Sequence, residues 1–544
     1  MLLQPTTAKP SFNLQNHGHQ NMCLSSNFSY SKSFPSGFCY SSMIKPITTR
    51  KNLVLTCSIS QVHSYGTVDY EKRPTVKWNA VYKRIILMDD PKKGSASVLN
   101  QWENEGKKLT KWELSRVVKE LRKFKRFNLA LEVYEWMNNR EERFRISTSD
   151  TAIQLDLISK VHGISSAEDY FLKLPDPLKD KRIYGALLNA YGRARKKEEA
   201  ESLMDKMRDR GYACHALPFN VIMTLYMNLQ EYDKVQSVIS EMLEKNINLD
   251  IYSYNIWLSS CGAQGSVGDM EEVLERMKLD TTINPNWTTY STMATLYIKL
   301  GEMEKAEDCL KKIESRITGR DRIPYHYLIS LYGTVGKKEE VYRVWDLYKS
   351  IFSIIPNLGY HAVISSLIRV GDIEGAEKIY NEWLSVKSMY DPRVGNLLLA
   401  CYVRNGFSDK AEAFFDEMIE VGGRANSVTW EILAEGHVRD RKISEALSCL
   451  KNAVSAEGSQ GWRPKPVNVS SVLKLCEQEG DISSKEALMG VLRQAGCLDD
   501  ETYMSFIPMS TGSFTGVEQA IDRDRTHDDD AGSEIVFSQL QESL

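Results

Sequence analysis

The chain has 544 residues, 69 Lys+Arg against 72 Asp+Glu for a formal charge of −3, 42% apolar and 26% charged residues, 32 Gly and 16 Pro. That length exceeds one ordinary hydrophobic core and asks for several domains or an extended array, while the composition excludes collagen-like and low-complexity chains. No window reaches the ~18 consecutive apolar residues of a membrane span, which argues against a membrane protein.

The first 68 residues contain no Asp or Glu and carry Lys9, Lys32, Lys45, Arg50 and Lys51 among many serines. An acid-free, Ser-rich start without a long apolar stretch reads as an organelle transit peptide, residues 1–58. Serine dominance with a single arginine points to the chloroplast, with the mitochondrion as the alternative. The remainder holds 64 basic against 72 acidic residues, or −8, which is not the balance of a protein that holds nucleic acid by charge alone. The charge is local: residues 71–145 hold 19 Lys+Arg against 11 Asp+Glu, and the cluster Arg122, Lys123, Lys125 and Arg126 could add a phosphate contact. After the presequence there are seven cysteines, widely spaced and without a CxxC pair, so neither a disulfide framework nor a zinc site is expected. They read as small core residues.

Residues 59–110 form an N-terminal extension with helical stretches around 78–88 and 99–105. Residues 111–145 fit a helix–turn–helix unit, with Leu114, Val117, Val118 and Leu121, then Ala130, Val133, Tyr134 and Met137 in register. Residues 146–180 keep a second helix (Ala167, Tyr170, Phe171, Leu174) but lose the apolar pattern of the first, so 111–180 counts as two degenerate repeats. Nine repeats follow over 181–500, beginning at Lys181, Ala216, Ile251, Trp287, Arg322, Asn357, Pro392, Ser427 and Pro466. Residues 501–544, with 2 Lys+Arg against 9 Asp+Glu, read as a disordered acidic tail.

Three ladders with one period carry the repeat assignment. Aromatic residues open successive units at Tyr184, Phe219, Tyr254, Tyr290, Tyr325, Tyr360 and Trp430, with Gly395 taking the missing turn. Gly265, Gly301, Gly336, Gly371 and Gly406 each follow eleven residues later. Ala200, Val235, Met270, Ala306, Val341, Ala376, Ala411 and Ala446 form the third ladder. Within a unit the apolar residues fall at i, i+3, i+4 and i+7, as in Tyr254, Trp257, Leu258 and Cys261, and the pattern restarts after the glycine. Each unit is therefore helix, turn, helix, and pairs too short to bury a face alone must stack into an all-α superhelical solenoid. The array is expected to be a right-handed α-solenoid with first helices inside and second helices outside.

These units resemble the pentatricopeptide repeat family of plant organelles, most clearly at Ile251 onward (IYSYNIWL), Trp287 onward (WTTYSTMA) and 406–418 (GFSDKAEAFFDEM). The tetratricopeptide repeat, at about 34 residues, wants a small residue where this chain carries Leu188, Met223, Leu258, Ile329, Ile364 and Leu399. The resemblance implies sequence-selective binding of single-stranded organellar RNA, one base per repeat. It also implies a reading pair in each unit, made of the residue after the opening aromatic and the last residue of the repeat. Carried over, the pairs are Gly185/His215, Asn220/Asp250, Asn255/Asn286, Ser291/Asp321, His326/Pro356, His361/Asp391, Asn396/Asn426, Glu431/Lys465 and Ser470/Asp500. The resemblance assigns uracil to Asn220/Asp250, a pyrimidine to Asn255/Asn286 and Asn396/Asn426, and guanine to Ser291/Asp321. It does not support an assignment for Gly, His or Glu at the first place or Lys at the second.

Nine residues after the opening position, Arg193, Lys299, Arg369, Arg404 and Arg439 supply a candidate phosphate-binding stripe, against Asn228, Ala263 and Thr334. Neither an HxE nor a CxxC motif for a deaminase-like zinc site nor a phosphate-binding GxxxxGK[ST] loop occurs. The expectation is a monomeric RNA-binding adaptor, not an enzyme, without metal or cofactor, working beside other RNA-processing or ribosomal proteins. The alternative is a protein–protein scaffold or ribosome-associated repeat protein.

Overall fold

The computed structural model describes residues 76–88, 93–317, 321–387, 389–456, 462–498 and 500–504. The proposed presequence, the extra residues at 458–461 and the tail beyond 504 lie outside the described residues. All regular structure among the described residues is helical.

Helices α1 (Val76–Ile86) and α2 (Gly94–Asn104) form a pair. They stack on α3 (Lys111–Lys123) and α4 (Phe127–Asn138), α1 against α3 and α2 against α4. The extension left unplaced by its sequence thus adds a further helical pair to the array. Next come α5 (Thr148–Val161) and α6 (Ile164–Lys173). The first helices of the later units are α7 (Lys181–Arg193), α9 (Ala216–Asn228), α11 (Ile251–Ala263), α13 (Trp287–Lys299) and α15 (Ile323–Val335). They continue with α17 (Asn357–Arg369), α19 (Pro392–Arg404), α21 (Ser427–Arg439) and α23 (Pro466–Glu479), each followed by an even-numbered second helix, ending at α24 (Ile482–Gln494). A short α25 (Glu501–Met504) closes the described chain, and its Tyr503 hydroxyl donates to the Pro464 carbonyl at 2.6 Å, so the first residues of the expected disordered tail are docked instead.

From α5 to α23 each first helix packs directly on the next, whereas the second helices of these units, up to α22 (Ile443–Ser455), meet their counterparts less closely. The row of closer approach is the inner side of a curved stack, so the first helices line the concave face of an α-solenoid. The ladder at Ala200, Val235, Met270, Ala306, Val341, Ala376 and Ala446 is fully buried, and Ala411 nearly so. These are the points where each second helix leans on its unit.

The turn between helices needs a left-handed residue in unit after unit. Gly265, Gly301, Gly336, Gly371 and Gly406 have φ of 75–81°, and where glycine is absent Lys125, Arg195, Gln230 and Arg441 adopt φ of 54–60° at the same position. A left-handed L-residue costs ~1–2 kcal/mol, which the stacked helices on either side offset.

Two departures in the pattern have physical reasons. Gly395, where the seventh unit lacks its aromatic, lies under the Tyr390 hydroxyl, so the preceding loop supplies the missing ring. Tyr390 is held there by a 2.8 Å hydroxyl contact with Tyr380 and an edge-on packing against Trp383. In α5 the apolar stripe is replaced by buried Asp150, Thr151, Gln154 and Asp156. These are paired: Lys111 with Asp150 at 2.6 Å, the Tyr170 hydroxyl donating to Gln154 Oε1 at 2.8 Å, and Gln154 Nε2 donating to Asn138 Oδ1 at 3.1 Å. A helix forms there because its polar face is satisfied, not because it is apolar. The apolar core accordingly divides at α5: Leu157 belongs to a cluster reaching back to Val81, and Leu155 to one reaching forward to Tyr503. Of the seven cysteines, all but the exposed Cys214 are buried, and burial pushes the Cys261, Cys309 and Cys449 thiols up to about 11.

Candidate nucleic-acid interface

Because the units repeat in register, the fifth residue of each first helix recurs along the concave row. This is the first member of each reading pair from Gly185 to Ser470, His326 taking the place in α15. The second member is the N-cap of the following first helix in Asp250, Asn286, Asp391 and Asn426, whose side chains accept hydrogen bonds from the first-turn N–H groups. Asp and Asn at the end of a unit therefore have a capping duty that the sequence reading did not assign to them.

The pairs differ in what they have already bonded. Asn220, fully buried, donates Nδ2 to both Asp250 oxygens at 3.0 and 3.1 Å and accepts from Ser253 Oγ at 2.7 Å. Asn396 repeats the arrangement, donating to Asn426 Oδ1 at 3.3 Å and accepting from Thr429 Oγ1 at 2.8 Å. Asn255 does not reach Asn286: its Nδ2 meets Thr288 Oγ1 at 3.3 Å, and Thr288 Oγ1 in turn donates to Asn286 Oδ1 at 2.6 Å. Among the described residues, Asn255 Oδ1 and Ser291 Oγ are buried polar atoms without a hydrogen-bond partner. Asp321 accepts from the Ile323 amide at 3.0 Å, so it serves its own helix start.

The remaining pairs are occupied otherwise. Asp391 is held by Arg393 at 2.6 Å and by Asn357 Nδ2 at 2.9 Å; burial raises its pKa, but these partners bring it below the usual carboxylate range. His361 beside it has a lowered pKa from burial and the Arg393 charge, against the opposing pull of Asp391. His326 Nε2 lies 3.0 Å from the Tyr348 hydroxyl, and burial together with Arg322 brings its pKa down to about 4. Both imidazoles are thus neutral near pH 7. Glu431 is buried and raised in pKa by that burial, and it accepts from the Lys465 backbone N–H at 2.6 Å and from Asn468 Nδ2 at 3.3 Å.

The five cations lie near the C-terminal ends of first helices, where the helix dipole favours positive charge. Three of them reach back to the preceding unit. Arg193 donates to Ser159 Oγ at 2.6 Å, Arg369 to Thr334 Oγ1 at 2.8 Å, and Arg439 to the Val403 carbonyl. Arg193 also pairs with Asp156 at 3.0 Å. Lys299, Arg369, Arg404 and Arg439 are exposed. A guanidinium has five donors, so one or two internal bonds leave others for a phosphate.

Two features escaped the sequence reading. The stripe extends upstream to Lys160, which with Lys123 of the cluster already named occupies in α5 and α3 the helix position that Arg193 holds in α7; the start of α5 was the missing register. One position after the start of their helices, Leu217, Leu358, Val428 and Val467 stand exposed, at 41–73% of full accessibility. Exposed apolar residues at the same place in four units offer flat contact surfaces beside the reading positions, and their spacing is readable from the helix starts.

Stacked helix pairs with one recurring side-chain position per unit define a helical-repeat protein. Residues 182–212, 218–247, 288–316, 360–386 and 396–423 match the PPR repeat family, and 237–300 the pentatricopeptide repeat domain. Pentatricopeptide repeat-containing protein At1g02150 of Arabidopsis thaliana is 60% identical over 97% of this chain and 98% of its own length. From the same organism, At4g21705, named mitochondrial, is 35% identical over 79% of this chain and 88% of its own, and Large ribosomal subunit protein mL101 is 34% identical over the same shares. The chain belongs to the pentatricopeptide repeat family, and its described residues are helical pairs throughout. Among solved structures, the pentatricopeptide repeat protein PPR10 from maize is 17% identical with a TM-score of 0.47, covering 74% of this chain and 62% of that one. PPR10 in complex with an 18-nt psaJ RNA element gives a TM-score of 0.43 at 17% identity over 77% and 60%. This chain therefore spans less than two thirds of that protein.

Proposed function

We propose that the protein is a sequence-selective, single-stranded RNA-binding adaptor of organelle RNA metabolism that does not itself cleave or modify RNA. The observation that carries this reading is the alignment on one concave row of a polar reading position with a cation near the end of the same helix. Asn396 with Arg404 on α19 is one instance, and Ser291 with Lys299 on α13 another. Asn220/Asp250, Asn255/Asn286, Ser291/Asp321 and Asn396/Asn426 read bases. His361/Asp391 is a weaker pair, since Asp391 is already engaged. Arg193, Lys299, Arg369, Arg404 and Arg439 take phosphates. The chain works as a monomer, and its acid-free start directs import into an organelle. Serine dominance favours the chloroplast, whereas relatives named mitochondrial favour the other compartment; a fluorescent fusion carrying residues 1–58 decides between them.

A second reading, attachment to an organellar ribosome, draws on the relative named as a large ribosomal subunit protein. Sequencing of RNA recovered with the tagged protein separates the two. Short protected footprints support the adaptor, ribosomal RNA throughout supports the ribosome, and recovery of protein partners without RNA removes both in favour of a scaffold.

A further inference from the structure

Along most of the concave row neighbouring first helices pack tightly, but α3 and α5 barely touch. A groove of about 930 Å³ opens there and runs over α5 and α7 to the start of α9. Its lining holds eight Lys or Arg and a single acid, Asp156. That buried carboxylate binds three cations at once: Arg193 at 3.0 Å, Arg122 at 3.1 Å and Lys160 at 3.2 Å. Burial alone would raise its pKa, but the charges of Lys160, Arg193 and Arg122 hold it below the ordinary range, so it stays ionised. One negative charge against three leaves an excess of two positive charges, to which the exposed Lys119, Lys123 and Lys181 on the same lining add. A concave, one-signed surface of this kind focuses field on a polyanion.

The same groove lacks what base reading needs. The first members of the reading pairs that face it are Ala152 on α5 and Gly185 on α7, neither with a side-chain hydrogen-bonding group, so His215 on the same lining has no first member to read with, and a Cβ built on Gly185 would meet nothing within 4 Å. Phosphate contacts hold a strand without reporting its sequence.

We propose that this groove is a sequence-blind track for the phosphodiester backbone of single-stranded RNA, lying beside the base-reading units at the N-terminal end of the array. It rests on the RNA reading above and adds that a flanking stretch of RNA, beyond the bases that are read, is gripped regardless of sequence. The lysines at the rim tune that grip. The track supplies affinity and salt dependence, and the units from α9 onward supply selectivity.

The test uses the full chain and fluorescence anisotropy with a short RNA whose bases match the reading pairs (U, a pyrimidine, G, two free bases, a pyrimidine), and with the same RNA lengthened by a few nucleotides at either end, the extension being all-adenosine or all-uridine. Wild type should bind one of the two lengthened RNAs about tenfold more tightly, whatever the extension's base, because each added phosphate contact is salt-dependent and additive to first order. Lys119→Gln/Lys181→Gln changes only exposed side chains outside the stripe, so its melting curve should match wild type. It should lose most of the gain from the extension, flatten the salt slope for the long RNA by about one, and bind the short RNA as before. Wild type that binds short and long RNA alike overturns the track while leaving the RNA reading intact. Wild type that binds neither overturns the RNA reading itself. Loss of the extension's gain on adding millimolar inorganic phosphate or uridine monophosphate also overturns the proposal, since the groove would then be a small-anion site.

Discussion

The Asn220 amide donates to both carboxylate oxygens of Asp250, at 3.0 and 3.1 Å, so the two residues expected to read a base are already each other's partners in the unbound array. Such a pair is rigid and pre-oriented. A base edge that enters must add to these bonds or exchange with them, and a carboxylate with about four lone-pair sites can do the former.

The difference between satisfied and unsatisfied reading residues separates stability from recognition. Asn220→Ala removes the buried amide that bonds Asp250 and Ser253, which stay bonded to each other, and should lower stability by about 1–3 kcal/mol as well as impair binding. Ser291→Ala deletes a buried hydroxyl that bonds nothing among the described residues, so its thermal unfolding should stay close to wild type, whereas Asn255→Ala also removes the Nδ2 bond to Thr288 and should cost about 1 kcal/mol. Preference at one RNA position each should relax by about 1–3 kcal/mol. Arg369→Ala/Arg404→Ala should weaken all RNAs alike and lower the salt slope. An anisotropy series on singly substituted RNAs at two salt concentrations checks this. The same sequence-blind loss from the asparagine and arginine variants would exclude base reading.

Gly395 has no room for a methyl group under the Tyr390 hydroxyl. Gly395→Ala should cost about 1–3 kcal/mol by urea unfolding, the range for overpacking a filled core. Gly395→Ala with Tyr390→Phe should recover part of it. If the single variant is as stable as wild type, Tyr390 does not stand in for the missing aromatic.

The turn position gives a prediction of opposite sign. Gln230 and Arg195 hold φ of 59° and 54° where other units use glycine. Gln230→Gly and Arg195→Gly should each stabilise by about 0.5–1 kcal/mol, the left-handed penalty less the entropy glycine loses. Gly336→Ala, at φ 81°, should destabilise. Melting temperatures of the three variants decide it.

His326 sets a pH dependence. Its folded pKa lies at about 4 because burial and Arg322 disfavour the imidazolium. The unfolded chain takes up that proton near the ordinary pKa of about 6.5. The contribution is therefore complete above pH 6.5 and falls away as pH drops towards 4, by up to about 3 kcal/mol. Denaturant midpoints from pH 7.5 to 4.5 should fall for wild type and fall less for His326→Gln. Parallel curves would rule the residue out.

The repeat, its phase and the start of most units were legible because three ladders agree, and ladders report the packing of a helix pair that every unit must reproduce. α5 was not legible as a first helix, because Asp150, Gln154 and Asp156 replace its apolar stripe and their partners come from residues 111–193, distant in sequence. Lys160 was missed as a member of the stripe for the same reason, since without α5's start there is no register to count from. The reading pairs were legible as positions but not as states. Nothing in the sequence separates Asn220, bonded to its partner, from Asn255, linked to its own only through Thr288.

The division of the core at α5 makes the array two cooperative blocks joined by a polar seam. In a one-dimensional stack each unit feels only its neighbours, so unfolding spreads until it meets a weak interface. Here Lys111–Asp150 and Arg122–Asp156 bridge the junction beside the apolar contacts of Leu157 and Ile158. Salt and acid loosen ion pairs and leave apolar packing largely untouched. The junction at α5 is thus where ionic conditions should bear on how the two blocks are coupled, a fuse set in an otherwise continuous spring.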